Sequence, residues 1–252
     1  SNTVYVADNT YGIQIFDASN PAMLQRHAYL PFEGRARRIS AGIISGRRYA
    51  FVAEDDIATR IVDVTVPSAP VEITNIVARS GDGFTDVKVV GTNLYLTGDS
   101  SSGWIYNVSN PSNPLYRTTF PSEGWAYIDV VGTRLYSCSD ELIAVSISST
   151  PSQLGRYDVD GSDCAGVCVS NSVAYLAMGP EGVKIVSVSS PSAMTLRSTL
   201  STMPQVNCVW VTNGTALVGS SIGMFTLDVT SPSSPQRAGY LSGPVVDHVV
   251  SD

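Results

Sequence analysis

Apolar residues in this 252-residue chain fall in short runs that alternate with polar ones, and the runs are separated by Gly, Asn, Asp, Ser and Pro. A period of two marks half-buried β-strands, and the separating residues are those that turn a chain. The clearest stretch reads as four strands: residues 85–90, a tight turn at 91–93, residues 94–97, a loop at 98–103, residues 104–108 and residues 115–120. Connections this short predict neighbours that pair antiparallel as a meander.

The third strand of each such unit ends in a fixed device, an Asp, Asn or Ser followed by Ser or Thr two residues on and then Pro. It stands as Asp17-Ala-Ser-Asn-Pro21, Asp63-Val-Thr-Val-Pro67 and Asn107-Val-Ser-Asn-Pro111, with weaker copies from Ser146 to Pro151, Ser187 to Pro191 and Asp228 to Pro232. These prolines step by 46, 44, 40, 40 and 41 residues, the period of a four-stranded propeller blade. Asp and Ser/Thr side chains bond backbone donors just ahead of them, while Pro fixes φ and has no N–H, so the strand stops there. Equal spacing in several repeats predicts turn-forming acids at Asp17, Asp63 and Asp228 rather than ligands or catalysts.

Six marks predict an all-β, six-bladed β-propeller of four-stranded antiparallel blades, one domain over residues 1–252. The first repeat lacks an inner strand, and residues 245–250 resemble one with nothing after it. The C-terminal strand is therefore expected to pair in the N-terminal blade and close the ring, removing exposed sheet edges. The blades then span residues 4–34 with 245–252, 35–82, 83–123, 124–162, 163–204 and 205–243.

The strand-to-turn sequence, with tails such as Ser109-Asn-Pro-Ser-Asn-Pro114, Thr230-Ser-Pro-Ser-Ser-Pro235 and Thr65-Val-Pro-Ser-Ala-Pro70, resembles the LVIVD repeat, as does the Gly91-Thr-Asn-Leu-Tyr95 start. The resemblance covers essentially the whole chain. It weakens in the fourth and fifth repeats, where Ser146 and Ser187 replace the acid and Leu154 and Met194 the second proline. It implies a propeller on a secreted or cell-surface protein, often multidomain, and very little chemistry. WD-type and kelch signatures are missing.

Composition narrows the function. With 43% apolar and 15% charged residues the chain can bury a large core. A net charge of -7 argues against a nucleic-acid partner, which calls for clustered Lys and Arg. Arg35, Arg37, Arg38, Arg47 and Arg48 do crowd one repeat and read as a local basic patch. No run reaches the ~20 apolar residues of a membrane span, so no direct insertion is expected. The chain opens inside a strand and reads as part of a larger protein.

Candidate chemistry is sparse. Two histidines exclude a clustered His metal site, and no Gly-x-Ser-x-Gly elbow supports a hydrolase. Aligning the repeats by their turns places Cys164, Cys168 and Cys208 at alternate positions of first strands with the same parity, and Cys138 on a second strand opposite Tyr127, again on that face. Same-face cysteines on adjacent blades are badly placed to meet, which predicts buried free thiols. Were one bridge to form, Cys164 to Cys208 is the candidate.

The loops of one rim hold Asp8, Glu33, Glu54, Asp55, Asp56, Asp82, Asp99, Glu123, Asp140, Glu141, Asp163 and Glu181, which predicts a negative rim. Binding sites on rigid scaffolds are commonly built from such loops. Asp86, Trp125, Tyr127, Arg38, Asp247 and His248 are the residues expected near the channel mouth. No cofactor is expected. Calcium, which wants several oxygens, is the one ion the loops suggest, although Glu54-Asp-Asp56 lacks EF-hand spacing.

The expected function is a non-enzymatic interaction or scaffold domain, extracellular or at the cell surface, binding a protein or a glycan through the acidic rim and channel mouth. The rival is a propeller enzyme, a lyase or glycoside-active protein, in which Asp86, Asp247, His248, Arg38 and Tyr127 converge as acid and base.

Overall fold

Each alternating run becomes a strand, and the strands gather in chain order into six antiparallel sheets. The computed structural model describes residues 3–9, 12–20, 23–55, 58–77, 83–161 and 163–243. The expected closing strand at 245–250, with Asp247 and His248, lies outside the described residues, as do Asp56 and Asp82.

The chain divides after Thr119 into two compact units. In the first, one sheet holds β1 (Thr3–Ala7), β2 (Ile13–Asp17) and β3 (Gln25–Leu30). The next holds β4 (Ala36–Ile44), β5 (Arg47–Glu54), β6 (Ala58–Asp63) and β7 (Val71–Val77). The third holds β8 (Phe84–Val90), β9 (Asn93–Gly98), β10 (Ser102–Asn107) and β11 (Leu115–Pro121).

In the second unit the fourth sheet is β12 (Tyr127–Val131), β13 (Arg134–Cys138), β14 (Glu141–Ser146) and β15 (Ser152–Asp158). The fifth is β16 (Gly166–Ser170), β17 (Val173–Ala177), β18 (Val183–Ser187) and β19 (Thr195–Leu200). The sixth is β20 (Val206–Thr212), β21 (Thr215–Ser220), β22 (Gly223–Asp228) and β23 (Gln236–Ser242). A 3-10 turn at Pro191–Ala193 is the helical element among the described residues, none of which forms a helix long and apolar enough to cross a membrane. The fold class is the all-β, six-bladed propeller expected from the repeat.

The core lies between successive sheets of each unit. Phe51 and Ile61 pack against Phe84, Leu94 and Leu96 in the first unit, while Tyr175 and Ile185 pack against Val218 and Phe225 in the second. Polar side chains on first strands tie sheet to sheet within this packing. The backbone N–H of Val89 donates to Ser40 Oγ at 3.1 Å, that of Val169 to Asp129 Oδ2 at 2.8 Å and that of Val211 to Cys168 Sγ at 3.3 Å. The three valines are equivalent, each one residue before the end of its strand. A backbone donor on the free edge of a first strand is thereby satisfied by the preceding sheet.

The turn acids behave as expected. Asp17, Asp63, Asn107 and Asp228 each accept the N–H two residues ahead, from Ser19, Thr65, Ser109 and Thr230, at 2.8 to 2.9 Å. Ser146 and Ser187, which replace the acid, bond the hydroxyls of Ser148 and Ser189 at 3.4 and 3.2 Å, and Ser187 Oγ also accepts from Arg197 Nη2 at 3.4 Å. A β-bulge just before this residue recurs between third and fourth strands, for example between Ile61 and Val62 and between Ile185 and Val186. It bends the outermost strand and raises its twist.

Candidate functional site

Trp125 stands where β12 is about to begin, in a turn after Gly124, with φ of +61° and 51% of its surface exposed. The other non-glycine residues with such backbone are Asn, Asp or Ser, among the described residues. A bulky side chain in the left-handed region is an outlier that costs ~1–2 kcal/mol and persists where its surroundings impose it. Here they do. Ser139 Oγ donates to the Gly124 carbonyl at 2.9 Å, and Ser122 Oγ lies 2.7 Å from Ser137 Oγ, which clamps the lead-in to β12 against β13 and its following turn.

Four carboxylates surround this turn. Glu123 precedes Trp125, Asp140 and Glu141 link β13 to β14, and Asp163 lies between β15 and β16. Burial pushes the Glu123 carboxyl above its usual range, aided by the charge of Glu141 and a hydrogen bond to it. The Asp140 carboxyl is likewise raised, by its hydrogen bond and charge contact with Asp163. Two carboxyls can share such a bond only if one keeps its proton, which is why the proton affinities of Glu123 and Asp140 rise. Arg156 on β15 reaches into the group and pairs through Nη1 with Glu141 Oε2 at 2.8 Å.

Tyr127, half-buried, opens β12 and lies opposite Cys138 in the register, as expected from the repeat. The site thus carries an exposed indole, a phenol, four acids and one guanidinium, all within the second unit. Arg38 and Asp86 belong to the first unit, on the adjacent strands β4 and β8, and both are buried. Arg38 donates to the Arg37 carbonyl at 3.3 Å and Asp86 accepts the N–H of Val87 at 2.8 Å.

Several acids counted toward a negative rim already have a cation. Glu54 is wholly buried and meets Arg60 Nε at 2.8 Å, Asp55 pairs with Arg37, and Glu181 with Lys184 at 3.0 Å. Among the described residues no three or more Asp, Glu, His or Cys are grouped to hold a metal. The basic patch is drawn down in the same way, since Arg37 is spent on Asp55 and Arg47 Nε donates to Asp63 at 3.0 Å. Composition counts charges, and pairing depends on register, which is why Arg156 and Arg60 could not be singled out beforehand.

The cysteines correct one expectation. All four are buried and free, but Cys138 and Cys164 share one apolar cluster, where burial and the Cys164 thiol push the Cys138 thiol up. Repeat alignment placed Cys164 on the first strand of its blade. In the structure β16 starts at Gly166, and Cys164 sits before it, its N–H bonded to the Ser139 carbonyl at 3.1 Å.

These carboxyl shifts set an expected pH profile. Glu123 and Asp140 hold their protons more tightly folded than unfolded, so stability should rise slightly as pH falls from 7 toward the ordinary carboxylate range. Asp17 and Asp228 are lowered by the hydrogen bonds they accept from Ser19 and Thr230. Burial would raise Asp63, but bonds from Thr65 and Arg47 outweigh it and leave it lowered too. Their stabilisation, present above the unfolded value near 3.8, should be lost below it. Urea midpoints between pH 3 and 8 should therefore peak at mildly acidic pH, and a flat or alkaline maximum would contradict the assignments.

Residues 2–26, 33–77 and 161–202 match the LVIVD repeat. No match to a curated protein sequence was found. Solved structures with similar backbones include a chain of the mitotic checkpoint complex, at TM-score 0.74 and 11% identity over 97% of this chain and 76% of that one. A protein from Lactobacillus plantarum gives 0.73 and 13% over 94% and 80%. A functionally unknown protein from Desulfotomaculum acetoxidans gives 0.74 and 13% over 96% and 80%. Identities this low speak for the fold alone.

Proposed function

For a chain that carries LVIVD repeats and folds as a six-bladed β-propeller, we propose a non-enzymatic interaction domain of a secreted or cell-surface protein, binding a protein or glycan partner at the loops around Trp125. The observation that carries this reading is the strained, exposed Trp125 set among Glu123, Asp140, Glu141 and Asp163. An exposed indole offers a stacking face to a sugar or a cation, and surrounding carboxylates favour a cationic group over it. The combination fits a protein segment bearing Lys or Arg better than a neutral glycan.

The test is intrinsic fluorescence, with Trp125→Phe isolating the signal of this residue from Trp104 and Trp210. Saturable change with a Lys/Arg-rich peptide, weakened about tenfold or more in Trp125→Ala, is the expected result. Response to neutral oligosaccharides instead would move the partner to the glycan class, and silence to both would sink the reading. The enzymatic alternative draws on the Glu123 and Glu141 pair, since a carboxyl with raised proton affinity beside a second carboxyl is the pattern of acid and base. Turnover of a glycoside panel abolished by Glu123→Gln would favour it.

A further inference from the structure

We propose that Cys138 and Cys164 form a modification site, a dithiol that a low-molecular-weight disulfide converts into a cross-link between the fourth and fifth sheets. Cys138 ends β13 and is 0% exposed, while Cys164 is 3% exposed. The bond from Cys164 N–H to the carbonyl of Ser139, the residue after Cys138, joins the two backbones as strand neighbours are joined. Cys138 is thus one residue from the backbone neighbour of Cys164, and a disulfide needs their Cα atoms about 4.4–6.8 Å apart. Both side chains enter one apolar cluster with Tyr136, Leu142, Val159 and Leu176, where burial and the neighbouring Cys164 thiol push the Cys138 thiol up. Cys164 Sγ also lies 3.3 Å from the Gly166 carbonyl, to which it donates.

The other two cysteines are placed differently. Cys168 Sγ accepts the N–H of Val211, and Cys208 packs its backbone against Gly166. Selectivity for the first pair follows from these positions. Burial holds the Cys138 thiol protonated in the closed fold, so exchange proceeds as the chain folds or as the segment before β16 opens. The Cys138 thiolate attacks one sulfur of the small disulfide and expels a thiol, leaving a mixed disulfide. Cys164 then attacks the Cys138 sulfur and expels the second thiol, so two protein thiols are oxidised and one small disulfide is reduced.

The full chain should be refolded in glutathione disulfide and, separately, with reductant, then alkylated unfolded and mapped by peptide mass. Expected are one bridge, Cys138 to Cys164, with Cys168 and Cys208 alkylated, and a melting temperature higher by about 5–10 °C in the oxidised form. That shift should vanish in Cys138→Ala and survive in Cys208→Ala. Four alkylated cysteines after refolding with the oxidant, or a bridge that takes in Cys168 or Cys208, would overturn the proposal. The mapping uses the unaltered chain, so it decides the matter even where a substitution fails to fold.

Discussion

Replacing Arg60 with Met should destabilise the protein by about 3–5 kcal/mol, the cost of leaving a buried charge without its partner. Arg60 on β6 lies between two carboxylates, with Nε 2.8 Å from Glu54 and Nη1 3.0 Å from Glu72, and its guanidinium covers the Phe32 ring at 4.8 Å from the centroid. Glu54 is wholly buried and Glu72 partly exposed, so the two anions are not equivalent. Removing Arg60 strands Glu54 in a medium where an isolated carboxylate is costly. Glu72→Gln should cost less than about 1 kcal/mol, because water still screens that pair. Urea unfolding of Arg60→Met, and of Arg60→Met with Glu54→Met, checks the account. The double variant should recover most of the loss, and an equal loss in both would show that the charge is not the cause.

Gly182→Ala should cost about 2–4 kcal/mol. Gly182 immediately precedes β18 with φ of +87°, and an added Cβ would overlap the carbonyl oxygen of Leu200 at the end of β19. The backbone penalty of the left-handed region and the clash with a neighbouring strand act together. Strands β2 and β22 are entered the same way, through Gly12 and Gly223, which face the carbonyls of Leu30 and Leu241. The device therefore belongs to the repeat. Gly46, with φ of +79° and open space around it, is the control, and Gly46→Ala should lose only about 1–2 kcal/mol. Thermal unfolding of both variants separates strain from collision, and equal losses would remove the collision from the account.

What could be read from the chain was local. Strand alternation, the tight turns and the Asp-x-Ser/Thr-x-Pro device act over a few residues, so Asp17, Asp63 and Asp228 were placed correctly as turn acids before any sheet was known. Trp125 and Tyr127 could be named from their place at the start of a blade. The strained backbone of Trp125 could not, because it depends on Ser139 reaching Gly124 from the turn after β13. The recurring bulge escaped for the same reason, since register is a relation between two strands. The acids were counted without their partners, and Glu54, Asp55, Glu141 and Glu181 turned out to be engaged. Cys164 was assigned to a strand that in fact begins two residues later, and that offset decides whether two thiols meet.

The binding claim is tested most directly by amide NMR of the isotope-labelled protein titrated with a Lys/Arg-rich peptide at low salt. Shifts concentrated in residues 122–127, 139–141 and 156–163, fading as salt screens the carboxylates, are the expected result. No shifts there, or shifts centred on strands remote from Trp125, would contradict it.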